Sequence, residues 1–286
     1  MSATTRVDSC ASGDILEQNR NMKMAAHETT LGELRAAIAG CEQGGALRGV
    51  RLFELGAPEL DAGLGGGLAR GALHEVYARG AGDAAAAAGF GLGIASRAAG
   101  GRALAWVRQD LVDVETGELY GGGLAAFGLD PGRVVLVRTR NAVETLRALE
   151  EAARCAALGA AAVELWGEPG ALDLRASRRL SLAARASGVT VVMIRLNASP
   201  APSAAASRWS VAASASAPLE ADAPGGPAFE AVLLRHRAGL AARSWRLEWN
   251  RDRASFIAPP LSRSLVSVPA YGQRAADSDG AWRRAG

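Results

Sequence analysis

Between Gly101 and Leu196 the chain repeats one pattern: a short, nearly continuous apolar run, then a longer amphipathic segment. The runs "RALAWVR", "RVVLVRT", "AAAVELW" and "VTVVMIRL" are too short for helices and lack the polar alternation of a half-exposed strand. They have the character of parallel strands buried on both faces. Between the last three stand "NAVETLRALEEAARCAAL" and "LDLRASRRLSLAARAS", whose apolar residues recur at helical spacing. Strand and helix in this order require right-handed crossovers, so the expected fold is α/β with a mostly parallel, doubly wound sheet. The glycine-rich stretch after "RALAWVR" is expected to be irregular.

Ahead of these units, "LHEVYARGAGDAAAAAGFGLGIA" (Leu73 to Ala95) predicts a strand, a glycine-containing turn and a small-residue helix. That is the setting of a phosphate-binding loop, which reads G-x-x-x-x-G-K-[ST]. There, backbone N–H groups and the helix N-terminus cradle phosphates and a lysine reaches the outer ones. Here the turn offers Arg79, Gly80, Gly82 and Asp83, then alanines beginning at Ala84 and Ala85. Lys23 is the only lysine of the chain, and it lies in the polar segment "NRNMKMAAHE". Mechanisms that need an ammonium in the core, phosphate-loop or Schiff-base, therefore lose support. Gly89, Gly91 and Gly93 do not match a dinucleotide fingerprint and are expected to pack closely on a sheet.

The flanks divide clearly. Residues 1–26 are polar and aperiodic and are expected to be disordered. Within 27–48, "TLGELRAAIAGCEQGG" pairs Thr30 with Glu33 at capping-box spacing and puts Leu31, Leu34, Ile38 and Cys41 on one helical face. That face needs a cover, either its own core or a partner. "GVRLFELG" reads as a strand, and "APELDAGLGGGLARG" as a helical turn closed by glycines. A core domain is expected over 49–257.

After Asn197 the Ala-, Ser- and Pro-rich stretch is expected to be loop or mobile surface, with short strand character around Trp209 to Ala213. "FEAVLLRHRAGLAARSWRLEWN" predicts a β-hairpin, on which Arg235, Arg237, Arg243 and Arg246 alternate with Leu233, Leu240, Trp245 and Leu247 to suggest a basic outer face. Residues 258–286 are expected to form a flexible tail.

Cys10, Cys41 and Cys155 are far apart, and no C-x-x-C occurs, so neither a disulfide framework nor a zinc site is expected. His27, His74 and His236 form no ligand cluster. No metal or cofactor is expected, and no apolar run reaches the roughly 18 residues of a membrane span. The formal net charge of +3 is too small to imply nucleic acid by itself.

Taken in order, the helix, "FELGAPELDAGLGGGLARGALHEVYA", the turn, the α/β units and the hairpin resemble the RecA-type recombinase core from about Leu31 to Trp249. More closely, "LDAGLGGGLARGALHEVY", "LDLRASRRLSLAARASGVTVVMIRL" and "VLLRHRAGLAARSWRLEW" resemble the ImuA-type accessory proteins of inducible mutagenesis. The resemblance implies a RecA-like core with a mostly parallel sheet, a C-terminal hairpin and an N-terminal helix, in which the nucleotide site is lost. Laid over the recombinase pattern, Ala84 stands at the lysine and Ala85 at the magnesium-binding hydroxyl. Gln109 falls near the catalytic glutamate, and Glu164 is the nearest counterpart of the acid that ends the nucleotide-binding strand. Glu164 by itself reads as a solvated rim residue. Arg195 and Asn197 stand near the switch-strand position without supplying its glutamine.

The function so implied is that of a non-catalytic adaptor in a DNA-damage-inducible, error-prone translesion synthesis complex of the SOS response. Its place would be the cytoplasm, at the nucleoid when in complex. The implied partners are a Y-family polymerase-like protein, an error-prone replicative-type DNA polymerase and RecA, with single-stranded DNA as a further candidate. The helix with Leu31, Leu34 and Ile38 is the candidate partner-binding element, and Arg208 with Trp209 the candidate DNA contact, where arginine would pair phosphate and indole stack a base. Two other readings stay open: an SOS-type cell-division inhibitor on a RecA-like core, and a DNA-dependent ATPase with an unorthodox loop.

Overall fold

The computed structural model describes residues 50–216, 223 and 225–259. The expected helix with Leu31, Leu34 and Ile38, the segment before it and the tail from residue 260 onward lie outside the described residues.

Strands β1 (Leu52–Phe53) and β2 (Leu68–Ala69) form a small antiparallel ribbon, with α1 (Pro58–Gly63) between them. The main run is β3 (Leu73–Ala78), α2 (Ala84–Ala99), β4 (Ala103–Gln109), α3 (Asp110–Thr116), α4 (Gly121–Ala126), β5 (Val134–Thr139), α5 (Ala142–Arg154), β6 (Leu158–Trp166), α6 (Leu174–Ser187) and β7 (Thr190–Leu196). It closes with β8 (Ser207–Ala213), β9 (Ala228–His236), β10 (Arg243–Asn250) and β11 (Ser255–Ile257). The nine strands from β3 to β11 make one sheet in the order β11-β10-β9-β8-β3-β7-β6-β4-β5. From β8 to β5 every neighbouring pair is parallel, and β9, β10 and β11 extend the sheet antiparallel. This is the mostly parallel sheet with a C-terminal hairpin that the strand-helix alternation predicts.

Both faces are covered. Phe90 and Ile94 of α2 pack with Trp106, Ile194, Trp209 and Phe229 on one side; Leu146 and Leu149 of α5 and Leu180 of α6 pack with Val107, Val163 and Val191 on the other. Residues of opposite parity along each strand serve the two layers, which is why the central strands read as continuous apolar runs.

Local chemistry sets the helix ends. Asn141 caps α5 by accepting from the Glu144 N–H at 3.0 Å, and the Glu144 carboxylate accepts in turn from the Arg140 N–H. Asp173 caps α6 through the Ala176 N–H at 2.7 Å, and Gly188 closes it in the left-handed region at φ 78°. Helix α2 has no side-chain cap and is rich in glycine, yet it seats deeply: a Cβ on Gly91 would stand 2.6 Å from Ile194 Cγ1, and one on Gly93 2.5 Å from Phe256 Cζ. The glycines are there for close approach to the sheet.

Three expectations change. The glycine-rich stretch after β4 folds into the short helices α3 and α4, anchored by Val112, Leu124 and Phe127 in the α2 layer. The strand expected over "GVRLFELG" shrinks to Leu52–Phe53, because β2 offers only two residues to pair with. The segment around Trp209 has the strand expected over Trp209 to Ala213 but is no loop or mobile surface: β8 lies inside the sheet between β3 and β9, and Trp209 and Val211 are fully buried in the α2 layer. On the hairpin, Arg235, Arg237, Arg243 and Arg246 are exposed, while Leu233, Leu247 and Trp249 are buried. A bulge opposite Arg208 and Trp209 makes Leu234 the extra residue and leaves it 39% exposed.

Candidate functional site

The turn from Arg79 to Asp83 joins the C-terminal end of β3 to α2, the position where an open parallel sheet binds ligands. Arg79, Gly80, Gly82 and Ala85 are exposed, and Asp83 and Ala84 half-buried. The backbone thus has the strand-turn-helix layout of a phosphate loop, and its side chains differ from one at each chemical position. Neither Ala84 nor Ala85 offers an ammonium or a hydroxyl.

Asp83 adds a feature the sequence alone did not disclose. It occupies the last position before the helix, where the phosphate-loop pattern has its second glycine. Its Oδ1 accepts from the Ala213 N–H at 2.9 Å, tying the turn to the end of β8. Its Oδ2 faces into the turn, 3.5 Å from where a Cβ on Gly80 would stand. Its carboxylate caps no helix N–H, but it sets a negative charge at the positive end of the helix dipole, which disfavours a phosphate there. The one cation of the turn is also engaged: Arg79 Nη1 pairs with Glu230 of β9 at 3.0 Å.

Glu164 lies on the α2 side of β6, and the structure corrects its reading as a rim residue. It is 1% exposed, its Oε1 accepts from Trp106 Nε1 at 2.8 Å, and Arg108 Nε stands 3.3 Å away. Burial pushes its carboxyl above the usual range, against the opposing pull of Arg108 and the indole N–H. Arg108 goes on to pair with Asp113 of α3, which also pairs with Arg138 of β5. Arg108 further donates to Gly117 O at 2.7 Å and Thr116 Oγ1 at 2.8 Å. The acid is thus the inner end of a charge network that ties β6, β4, α3 and β5 together. The last residue of β6 on this face is Trp166, an indole where a metal-binding acid would end the strand.

The remaining sequence candidates scatter. In the alternation of β4, Trp106 and Arg108 face α2 and Gln109 takes the other parity, three strands from the turn. Arg195 lies on the α5 and α6 side, where its guanidinium covers the Tyr77 ring at 5.4 Å and donates to Gly167 O at 3.0 Å. Asn197 turns the chain in the left-handed region at φ 50°. Arg208 and Trp209, the candidate DNA contact, are both engaged within the sheet. Arg208 is 9% exposed and pairs with Glu75 Oε2 at 2.9 Å; the Trp209 indole donates to Ser207 Oγ and packs on Phe90 and Trp245. Neither group faces solvent. An arginine and a glutamate within apolar strands were the available signal, since buried charges need partners.

His74, fully buried on β3, completes a neutral network. Its Nδ1 lies 2.7 Å from Ser207 Oγ and its Nε2 2.8 Å from Ala69 O, so Nε2 carries the proton and the serine hydroxyl donates to Nδ1. Burial brings its pKa down to about 4. Among the described residues no His, Cys, Asp and Glu group could hold a metal ion, and no helix is long and apolar enough to cross a membrane.

No protein-family model matches the sequence. A solved structure of the RadB recombinase aligns with 73% of this chain and 100% of its own, at 18% identity and a TM-score of 0.48. Protein ImuA of Caulobacter vibrioides, in two strains, is 31% identical over 219 residues, spanning 71% of this chain and 79% of the relative. That identity over that extent places the sequence in a family: the chain belongs to the ImuA family.

Proposed function

We propose that the chain is a non-catalytic adaptor in a DNA-damage-inducible, error-prone translesion synthesis complex. Family membership supports a role in inducible mutagenesis. One observation carries the adaptor reading: the turn after β3 has alanines at the lysine and hydroxyl positions and the Asp83 carboxylate at the start of the helix. A RecA-like core without a nucleotide cycle serves best as a surface on which other proteins assemble. The partners in this reading are a Y-family polymerase-like protein, an error-prone replicative-type polymerase and RecA. Single-stranded DNA, if bound, meets a surface other than Arg208 and Trp209.

The test is ultraviolet-induced mutation frequency in a strain lacking the protein, with cell length recorded in the same cultures. Loss of induced mutation at normal cell length is expected. Unchanged mutation with shorter cells after damage would overturn the reading in favour of a division inhibitor. ATP turnover by the purified full-length chain, stimulated by single-stranded DNA, would overturn its non-catalytic part.

A further inference from the structure

Helices α5 and α6 pack side by side over the sheet and leave between them an open groove of about 620 Å³. Its floor is apolar, from Leu182, Ala183 and Ala186, and its rim is charged, from Glu150, Arg154 and Arg179. Leu182 is 58% exposed; of the two exposed leucines of α6, Leu174 and Leu182, it is the one that lines the groove.

Of the α6 arginines only Arg179 lines the groove; the others form a basic stripe beside it. Helix α6 contains no acid and has exposed arginines at 175, 178, 179 and 185. At 100° per residue, Arg175, Arg178, Leu182 and Arg185 fall within a sector of about 80°, over a length of about 15 Å. Among the described residues Arg175, Arg178 and Arg185 have no ion pair, whereas Arg179 pairs with Glu150 at 3.5 Å. On α5, Glu150 and Arg154 line the groove, and Arg154 engages both Glu150 and its neighbour Glu151.

From this juxtaposition we infer that the α5–α6 groove docks an amphipathic helix of a partner protein, its apolar stripe on Leu182 and Ala186 and its carboxylates facing the α6 arginines. A helix in a groove is read through anchors at i, i+3/i+4 and i+7, and the exposed leucine within an arginine stripe is the matching receptor. Nucleic acid fits less well. A phosphate backbone gains nothing from the apolar lining of Leu182, Ala183 and Ala186. The inference rests on the adaptor reading, to which it adds the location and chemistry of one contact.

The experiment replaces Leu182 in the full-length chain, in its own host, by photoreactive p-benzoylphenylalanine. Cells are irradiated after DNA damage, and the cross-linked peptide is sequenced. The expected adduct is a segment of another protein with apolar residues at helical spacing and a net negative charge. Its yield should fall at least tenfold in an R175E/R178E/R185E background, whose melting temperature stays that of the parent because these side chains are exposed. Absence of an adduct, cross-linking to nucleic acid or to residues 1–49 of the chain itself, or an undiminished yield in the triple variant would each overturn the inference. If a probe at Tyr120, on the α2 side, captures a mutagenesis partner while Leu182 captures none, the adaptor reading survives and this surface is wrong.

Discussion

Arg208 decides between two accounts of the same residue, and its replacement by glutamine separates them. Its guanidinium sits 2.9 Å from Glu75 Oε2 and donates to Ser203 Oγ at 2.7 Å, with the Glu75 side chain 1% exposed. Removing the arginine leaves a buried carboxylate whose remaining described partner is the Ser203 hydroxyl. Breaking a buried pair from one side costs about 3–5 kcal/mol, because the orphaned charge keeps its desolvation penalty. At roughly 2–4 °C per kcal/mol for a chain of this size, the melting temperature should drop by about 6–20 °C. Replacing both partners, as Glu75→Leu with Arg208→Met, should recover most of the loss, giving a coupling energy well above that of an exposed pair. Thermal and urea unfolding followed by near-ultraviolet circular dichroism give the stabilities; anisotropy of a labelled single-stranded oligonucleotide, below the transition, gives DNA affinity. An R208Q chain as stable as the parent, with weakened oligonucleotide binding, would refute the burial argument and restore Arg208 as a DNA contact.

Three further perturbations bear on other parts of the structure. His74 is held neutral, with its folded pKa near 4 against about 6.5 unfolded, so the stability it contributes is complete above pH 6.5 and is lost as pH falls toward 4. The loss reaches about 3 kcal/mol, and urea midpoints across that window should fall less steeply in H74Q than in the parent, with H236Q as control because burial also lowers His236. Gly93→Val drives a side chain into Phe256 and Trp249 and should cost about 1–3 kcal/mol by urea unfolding, whereas Gly82→Ala, with nothing within 4 Å of its Cβ, should stay within about 0.5 kcal/mol. Restoring only the lysine and hydroxyl, as Ala84→Lys with Ala85→Thr, should give no saturable binding of a fluorescent ATP analogue, because the Asp83 carboxylate at the helix start still repels phosphate; saturable binding would show that this carboxylate does not exclude phosphate.

Much of the fold was legible because β4, β6 and β7 are buried on both faces and announce it as nearly unbroken apolar runs; β5, whose "RVVLVRT" reads the same way, is instead the sheet's edge and leaves Val135 and Leu136 exposed. The glycines of α2 were legible too, since residues without a Cβ in an otherwise apolar helix have few uses apart from close packing. What escaped reading depended on non-local partners. Trp209 looked like part of a loop surface because its neighbours are Ala, Ser and Pro; only the arrival of β3 on one side and β9 on the other makes it core. Arg208 and Glu75 are 133 residues apart, and neither alone reveals the other. Glu164 was placed at the rim because its strand end was mistaken for the sheet's mouth, when it is the next residue outward on the same face, Trp166, that stands there. The short helices α3 and α4 were hidden by Gly121, Gly122 and Gly123, which local propensity assigns to loop.

The seating of α2 also bears on how the chain is made. Three glycines in 16 residues leave this helix little stability of its own, at about 1 kcal/mol each relative to alanine. Part of what it packs against, Trp249 and Phe256, leaves the ribosome roughly 160 residues after α2 does. At about 5–20 residues per second the delay is on the order of 10–30 s. For that interval the nascent chain holds the face of Phe90 and Ile94 without its final cover. A nascent chain stalled before β11 would carry the phosphate-loop helix uncovered and stand open to chaperones and proteases, so translation through the hairpin acts as the checkpoint on which the whole α2 layer depends.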